Sequence, residues 1–135
     1  MAKIKVEYLG DLRTRSTHLP SGNELITDAP TDNKGKGEYF SPTDLIGASL
    51  LTCMITVMGI LANEKGIPFS IKSSSINKIM VANPRRVSVL EIEIEILDEG
   101  QSEKQRKMLQ NAAEECPVAY SIHPDIKQDL KISFL

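Results

Sequence analysis

The sequence predicts an α+β domain, read as β-β-β-α-β-β-α-β with mostly hairpin links, and three observations carry that prediction. Residues 90–96 read LEIEIEI, a strand with one apolar and one acidic face. Residues 45–62 hold eighteen uncharged residues in a row, bounded by helix start and stop signals. Short alternating runs punctuated by Gly, Pro and Asn open the chain.

In order along the chain, Ile4, Val6 and Tyr8 alternate with Lys3, Lys5 and Glu7, which puts one strand face in the core and one in water. Gly10 and Asp11 turn the chain, Leu12 to His18 is the return strand, and Pro20-Ser21-Gly22-Asn23 turns again into a short strand around Leu25 to Thr27. Residues 29–40, APTDNKGKGEYF, are rich in turn formers and read as a loop. Ser41 then caps a helix, Pro42 takes its first position, and Asp44 complements the dipole three residues after the cap. Gly66 and Pro68 mark its far end. Two long strands follow, Phe69 to Val81 and Arg85 to Leu97, joined at Asn83-Pro84. Val87 and Val89 fall on the phase opposite to Leu90, which predicts a bulge near Val89. Ser102 and Gln105 form a capping box for a second helix, whose stripe of Met108, Leu109, Ala112 and Ala113 closes on Cys116. The last strand carries Leu130, Ile132 and Phe134 on one face.

With 135 residues, 41% of them hydrophobic and 25% charged, the expectation is one globular domain spanning residues 1–135. A formal net charge of -2 without long runs of one sign excludes a nucleic-acid footprint and a polybasic membrane patch. The opening MAKIKVEYLG alternates charge with apolar residues instead of following the layout of a secretory signal, so the protein is read as cytoplasmic. In a reducing compartment two cysteines do not make a disulfide framework; they leave buried thiols, metal ligands or redox chemistry.

The helix from Pro42 to Lys65 would be roughly 35 Å long. Its apolar stretch approaches the ~20 residues that cross a bilayer, but Ser49, Thr52 and Thr56, the capped start and the soluble character of the rest favour a buried helix. A helix apolar on every side must be covered on every side. One chain of this size has too little material to enclose it. The economical cover is a second copy across a two-fold axis, with Gly47, Ala48, Gly59 and Ala62 allowing close approach. An obligate homodimer is therefore expected.

Cys53 lies in the middle of that helix. A cysteine there ordinarily behaves as a small inert hydrophobe, but Cys116 stands at a helix end, and two thiols can form a redox pair. The segments SPTDLIGASLLTCM and ECPVAYSIHP resemble the two cysteine motifs of the OsmC/Ohr family, the osmotically inducible protein C and organic hydroperoxide resistance proteins. LRTRSTHLPSGNELITDAP and GKGEYFSPTDL extend the resemblance over nearly the whole chain. The resemblance implies an OsmC-like fold, with antiparallel sheets around a long central helix, in an intertwined homodimer with active sites at the subunit interface. It implies thiol-dependent reduction of organic hydroperoxides without metal or organic cofactor. Cys53 would become a sulfenic acid, Cys116 would condense with it to a disulfide, and an external dithiol would reset the pair.

A buried thiol needs a nearby cation to ionise. The family uses an arginine, for which Arg13 and Arg15 are the candidates, two apart on a strand and so on one face. Peroxidase members carry a glutamate directly after the motif proline to hold that arginine, whereas this chain has Thr43. Asp44, rotated by about 100° along the helix, cannot inherit the role. Apolar residues at helical spacing from Cys53, namely Ile46, Leu50, Val57 and Ile60, are the expected substrate wall and favour organic peroxides. His18 and His123 have no zinc-like spacing with the cysteines, and no metal is expected. The second reading is a non-enzymatic dimeric binder of apolar small molecules on the same fold.

Overall fold

The computed structural model describes residues 2–135. Its elements are β1 (Ile4–Gly10), β2 (Arg13–His18), β3 (Asn23–Asp28), a 3-10 turn (Thr31–Asn33), α1 (Pro42–Lys65), β4 (Ile71–Val81), β5 (Arg86–Ile96), α2 (Glu103–Glu114), α3 (Pro117–Ser121) and β6 (Lys127–Phe134). The chain divides into two units, Met1–Ile46 and Gly47–Leu135, with the boundary inside α1. This order contains the expected α+β arrangement, with the 3-10 turn and α3 added.

The first unit is an antiparallel sheet in the order β1-β2-β3. Its first turn passes through positive φ at Gly10, Asp11 and Leu12. The alternation of Ile4, Val6 and Tyr8 does form a strand, but the face they share is not core: they are 59%, 63% and 68% exposed. The following loop is tied back to β3, where Asp28 N–H donates to the Phe40 carbonyl at 3.0 Å and Gly37 N–H to that of Ala29 at 3.2 Å. A side chain at Gly35 would put its Cβ 1.7 Å from the Ala29 oxygen, so only glycine fits there. At the start of α1, Ser41 Oγ accepts from Asp44 N–H at 3.1 Å and the Asp44 carboxylate accepts from Ser41 N–H at 2.9 Å, a reciprocal cap.

The second unit has the sheet β4-β5-β6. β4 and β5 pair antiparallel, with a register shift between Ile79 and Met80, opposite Val89 and Val87, where the phase change in the sequence predicted it. β5 and β6 instead pair parallel, from Val89↔Lys127 to Ile96↔Phe134, which corrects the expectation of wholly antiparallel sheets. The reason is that α2 and α3 carry the chain back to the starting end of β5 before β6 begins, and such a return crossover makes parallel neighbours. Leu90, Ile92, Ile94 and Ile96 fill the buried face, while Glu91 and Glu93 are exposed.

Helix α1 buries one stripe: Gly47, Leu50, Met54, Met58 and Ala62. Gly47 lies against Ile76 and Leu90, where an added Cβ would meet each at an ordinary 3.6 Å. Thr52, Thr56 and Ile60 face outward and are exposed. By length and composition alone α1 could cross a membrane, with a mean hydropathy of 2.2 in its most apolar window. Of that window 33% is buried, with the stripe formed by Gly47, Leu50, Met54, Met58 and Ala62 inside. Helix α2 begins with the expected capping box, Ser102 with Gln105, and buries Leu109 and Ala113.

Because Leu90 is fully buried under Gly47, Leu90→Ala is expected to cost about 2–5 kcal/mol, the usual range for such a core truncation. Urea titration measures it, and a loss below about 1 kcal/mol would show that this contact is not core packing.

Candidate active site

Cys53 occupies the flank of α1 between the buried stripe of Leu50 and Met54 and the exposed Thr52 and Thr56, so its thiol is half-buried. Cys116 is fully buried. It does not end α2, which stops at Glu114; it is the N-cap of α3, with Pro117 at the first helical position. Cys53 lies close enough to Cys116 to act on its ionisation. Burial pushes the Cys116 thiol above its ordinary value and its hydrogen-bonding and charge contacts with Cys53 push the same way, against the lowering pull of the Ala119 and Val118 amides.

An open trough of about 430 Å³ lies beside this pair, lined by Ser49, Thr52, Cys53, Thr56, Val57, Pro117 and Val118. Its threonines do not make it polar. Thr52 Oγ donates to the Ala48 carbonyl at 2.7 Å and Thr56 Oγ to that of Thr52 at 2.7 Å, so both hydroxyl protons are spent on the helix backbone. Among the described residues no charged side chain lines the trough. A second groove, lined by residues such as Asn77, Glu91, Glu93, Asp129 and Lys131 on the polar face of the β4-β5-β6 sheet, holds no thiol or other strong nucleophile.

Of the expected wall, the structure brings Val57 to the trough. Leu50 does not line it, because it belongs to the buried stripe and is fully enclosed. Ile60 is 52% exposed outside the trough, and Ile46 is half-buried in the first unit. The residues that replace them, Thr52, Thr56, Pro117 and Val118, were not singled out. Polar threonines do not signal an apolar wall until their hydroxyls are seen to be occupied, and α3 was not foreseen.

In the first unit Arg13 is held firmly. Its Nε and Nη2 grip the Asp28 carboxylate at 2.7 and 2.8 Å, its Nη2 also reaches Glu38 Oε1 at 2.8 Å, and its guanidinium lies 4.8 Å from the Tyr39 ring centre. Asp28 is 1% exposed and accepts from the Glu38 backbone N–H as well. The hydrogen bonds from Asp28 and then Glu38 raise the Arg13 pKa, and Arg13 in turn holds the Asp28 carboxylate below its ordinary value. Arg15 is also raised, chiefly by its hydrogen bond to Glu7 at 3.1 Å, but its partners Glu7 and Glu24 are exposed. Thr43 makes a hydroxyl contact with Ser41 at 3.2 Å. Asp28 and Glu38 went unremarked in the sequence because their meeting with Arg13 depends on the β2-β3 register and on the path of the loop.

The two histidines lie in different units. His18 contacts Ser21 Oγ at 2.6 Å, and His123 Nδ1 accepts from the Asp125 N–H at 3.0 Å. Among the described residues no three His, Cys, Asp or Glu side chains gather as a metal site would require.

Comparison with known proteins matches residues 35–131 to the family model for OsmC-like proteins. No curated protein matches the sequence. Among solved structures, an osmotic stress induced and detoxification response protein from Psychrobacter arcticus 273-4 is 50% identical, with a TM-score of 0.91 over 98% of this chain and 96% of that one. An organic hydroperoxide resistance protein from Legionella pneumophila is 19% identical, with a TM-score of 0.69 over 98% of both chains. Another from Bacillus subtilis is 15% identical, with a TM-score of 0.63 over 98% of both. At those lower identities the likeness is one of fold.

The pairing of Asp28 with Arg13 has a pH signature. The folded pKa of Asp28 is depressed, so its stabilisation is whole above the ordinary value of 3.8 and is lost as the pH falls through the folded value. Asp28→Asn is expected to melt at a lower temperature than the parent near neutral pH, with the gap closing in acid. Thermal unfolding followed from about pH 7 to about pH 2 reads this out, and a gap that does not depend on pH would show that the charge is irrelevant.

Proposed function

The chain belongs to the family of OsmC-like proteins, and from that premise we propose that it is a cytoplasmic, thiol-dependent peroxidase for organic hydroperoxides, working as a homodimer. The observation that carries the reading is the meeting of Cys53 and Cys116 beside an apolar trough. The family's inclusion of proteins named for organic hydroperoxide resistance supports the substrate class.

The Cys53 thiolate attacks the outer oxygen of the hydroperoxide. The O–O bond breaks, an S–O bond forms, and the alkoxide leaves as an alcohol after taking a proton. Cys53, oxidised by two electrons, is now a sulfenic acid. The Cys116 sulfur then attacks it as a thiolate, the S–S bond forms, and hydroxide leaves as water. An external dithiol returns two electrons and reopens the pair. The trough supplies no charge to bind a polar peroxide and favours an alkyl chain. As the cation a thiolate needs, the reading retains Arg13 and Arg15. The bidentate grip of the buried Asp28 favours Arg13, with Asp28 and Glu38 doing for it what the family's glutamate does where this chain has Thr43.

Dimerisation rests on exposure. Ile4, Val6, Tyr8 and Leu25 are open to solvent in a single chain, as are Thr52, Thr56 and Ile60 of α1. Thr43, which carries no charge, keeps one alternative: a dimer that binds apolar molecules in the trough without turnover.

Adding one equivalent of cumene hydroperoxide to reduced protein is expected to consume both thiols, and Cys53→Ala is expected to lose none. Free-thiol counting decides it: persistence of both thiols in the parent, with an apolar fluorescent probe still bound, would favour the binder. Sedimentation equilibrium at micromolar concentration is expected to give twice the chain mass, and a monomer there would remove the dimer from the proposal.

A further inference from the structure

Gln128 sits on β6 in the row that runs from Lys78 on β4 through Leu90 on β5. Leu90 is fully buried and the next row on that face is Ile76, Ile92 and Leu130. A half-buried amide beside the fully buried Leu90 needs a partner, since an unpaired one costs more than an aliphatic side chain of the same size. Its partner is specific. Gln128 Nε2 donates to the Ala119 carbonyl of α3 at 3.0 Å. A carbonyl can only accept, which fixes the orientation of the amide.

That bond reaches the segment on which Cys116 depends. Helix α3 has five residues and begins at Cys116. The backbone around the cysteine is held loosely: its N–H reaches Ala113 at 3.4 Å and its carbonyl receives Tyr120 N–H at 3.4 Å, both near the limit for a hydrogen bond. Pro117 and Val118 of the same turn line the trough beside Cys53. We propose that Gln128 is a positioning residue for the thiol pair, hanging α3 from β6 and so keeping Cys116 within bonding reach of Cys53. The proposal rests on the redox reading above. It assigns Gln128 no contact with substrate; its role is to set the effective concentration of one sulfur at the other.

The test is thiol-disulfide exchange with 5,5′-dithiobis(2-nitrobenzoate), which needs no peroxide. The Cys53 thiolate attacks the reagent, forms a mixed disulfide and releases one thionitrobenzoate. Cys116, its proton lost to solvent, attacks the Cys53 sulfur, and the second thionitrobenzoate leaves. The pair is oxidised by two electrons and the reagent reduced by two. Gln128→Leu fills the volume without a donor, and Gln128→Glu keeps the shape but loses the donor near neutral pH. Both variants are expected to give an unchanged first release and a second release slowed about tenfold. Equilibration with glutathione is expected to show the disulfide easier to reduce by about 30 mV, the equivalent of that tenfold.

Equal slowing of both phases, an unchanged second phase, or no second phase in the parent would overturn the proposal. If Gln128→Leu does not fold, Gln128→Glu decides alone. A parent that closes its pair but does not consume peroxide sinks the peroxidase reading and leaves this one standing.

Discussion

The constraint on which the structure depends is that α1 has no side suited to water over most of its length, while its own sheet covers one stripe of it. Burying Leu50, Met54 and Met58 contributes about 1.5–3 kcal/mol for each side chain. That anchorage fixes the helix phase, and the phase places everything else on α1. Gly47, Leu50, Met54, Met58 and Ala62 advance by three or four residues and stay on the buried face. Cys53 and Val57, turned to the flank, become the half-buried edge of a trough. Thr52, Thr56 and Ile60 are left outward. The same packing that stabilises the second unit therefore decides that the thiol is accessible at all.

A different constraint governs the first unit. A carboxylate as buried as Asp28 is tolerated only when its charge is met and its oxygens are hydrogen-bonded. Arg13 meets it with two parallel bonds, and the Glu38 N–H takes a remaining acceptor position. The consequence is mechanical as well as electrostatic. The cluster joins β2, β3 and the loop into one fixed arrangement, so Arg13 cannot swing as a solvated side chain would. The uncharged Thr43 therefore does not leave Arg13 loose, because Asp28 and Glu38 hold it.

How much of this was legible in the sequence divides by range. Local signals were sufficient for the strands, for both capped helices and for the bulge beside Val89, because periodicity, caps and phase changes are written within a few residues of where they act. Pairings at a distance were not. The parallel partnership of β5 with β6 depends on where α2 and α3 return the chain. The meeting of Arg13 with Asp28 depends on a strand register, and the exposure of Ile4, Val6 and Tyr8 depends on what covers the sheet. In the site, position alone reads Cys53 as an inert hydrophobe; Cys116 at a helix end and the resemblance of both segments to the family's cysteine motifs single the pair out. The wall was only partly anticipated: equal spacing from Cys53 treats Leu50 and Val57 alike, whereas the helix phase buries the first and presents the second.

The unlike surroundings of the two thiols bear on the order of events in the proposed cycle. A thiol attacks as its thiolate, and raising a pKa lowers the thiolate fraction at any given pH. Cys116 is raised first by burial, so its thiolate fraction in the resting state is held low. Part of that elevation comes from Cys53, through a hydrogen bond and through its charge. In the proposed cycle Cys53 is converted to a sulfenic acid, which removes the contribution of its thiolate charge to that elevation. The Val118 and Ala119 amides, which favour the Cys116 thiolate, then act with less opposition. On the proposed cycle, oxidation of the first sulfur eases ionisation of the second at the stage when its attack is needed. The low acidity of Cys116 before that stage works against its reaction with other oxidants out of turn.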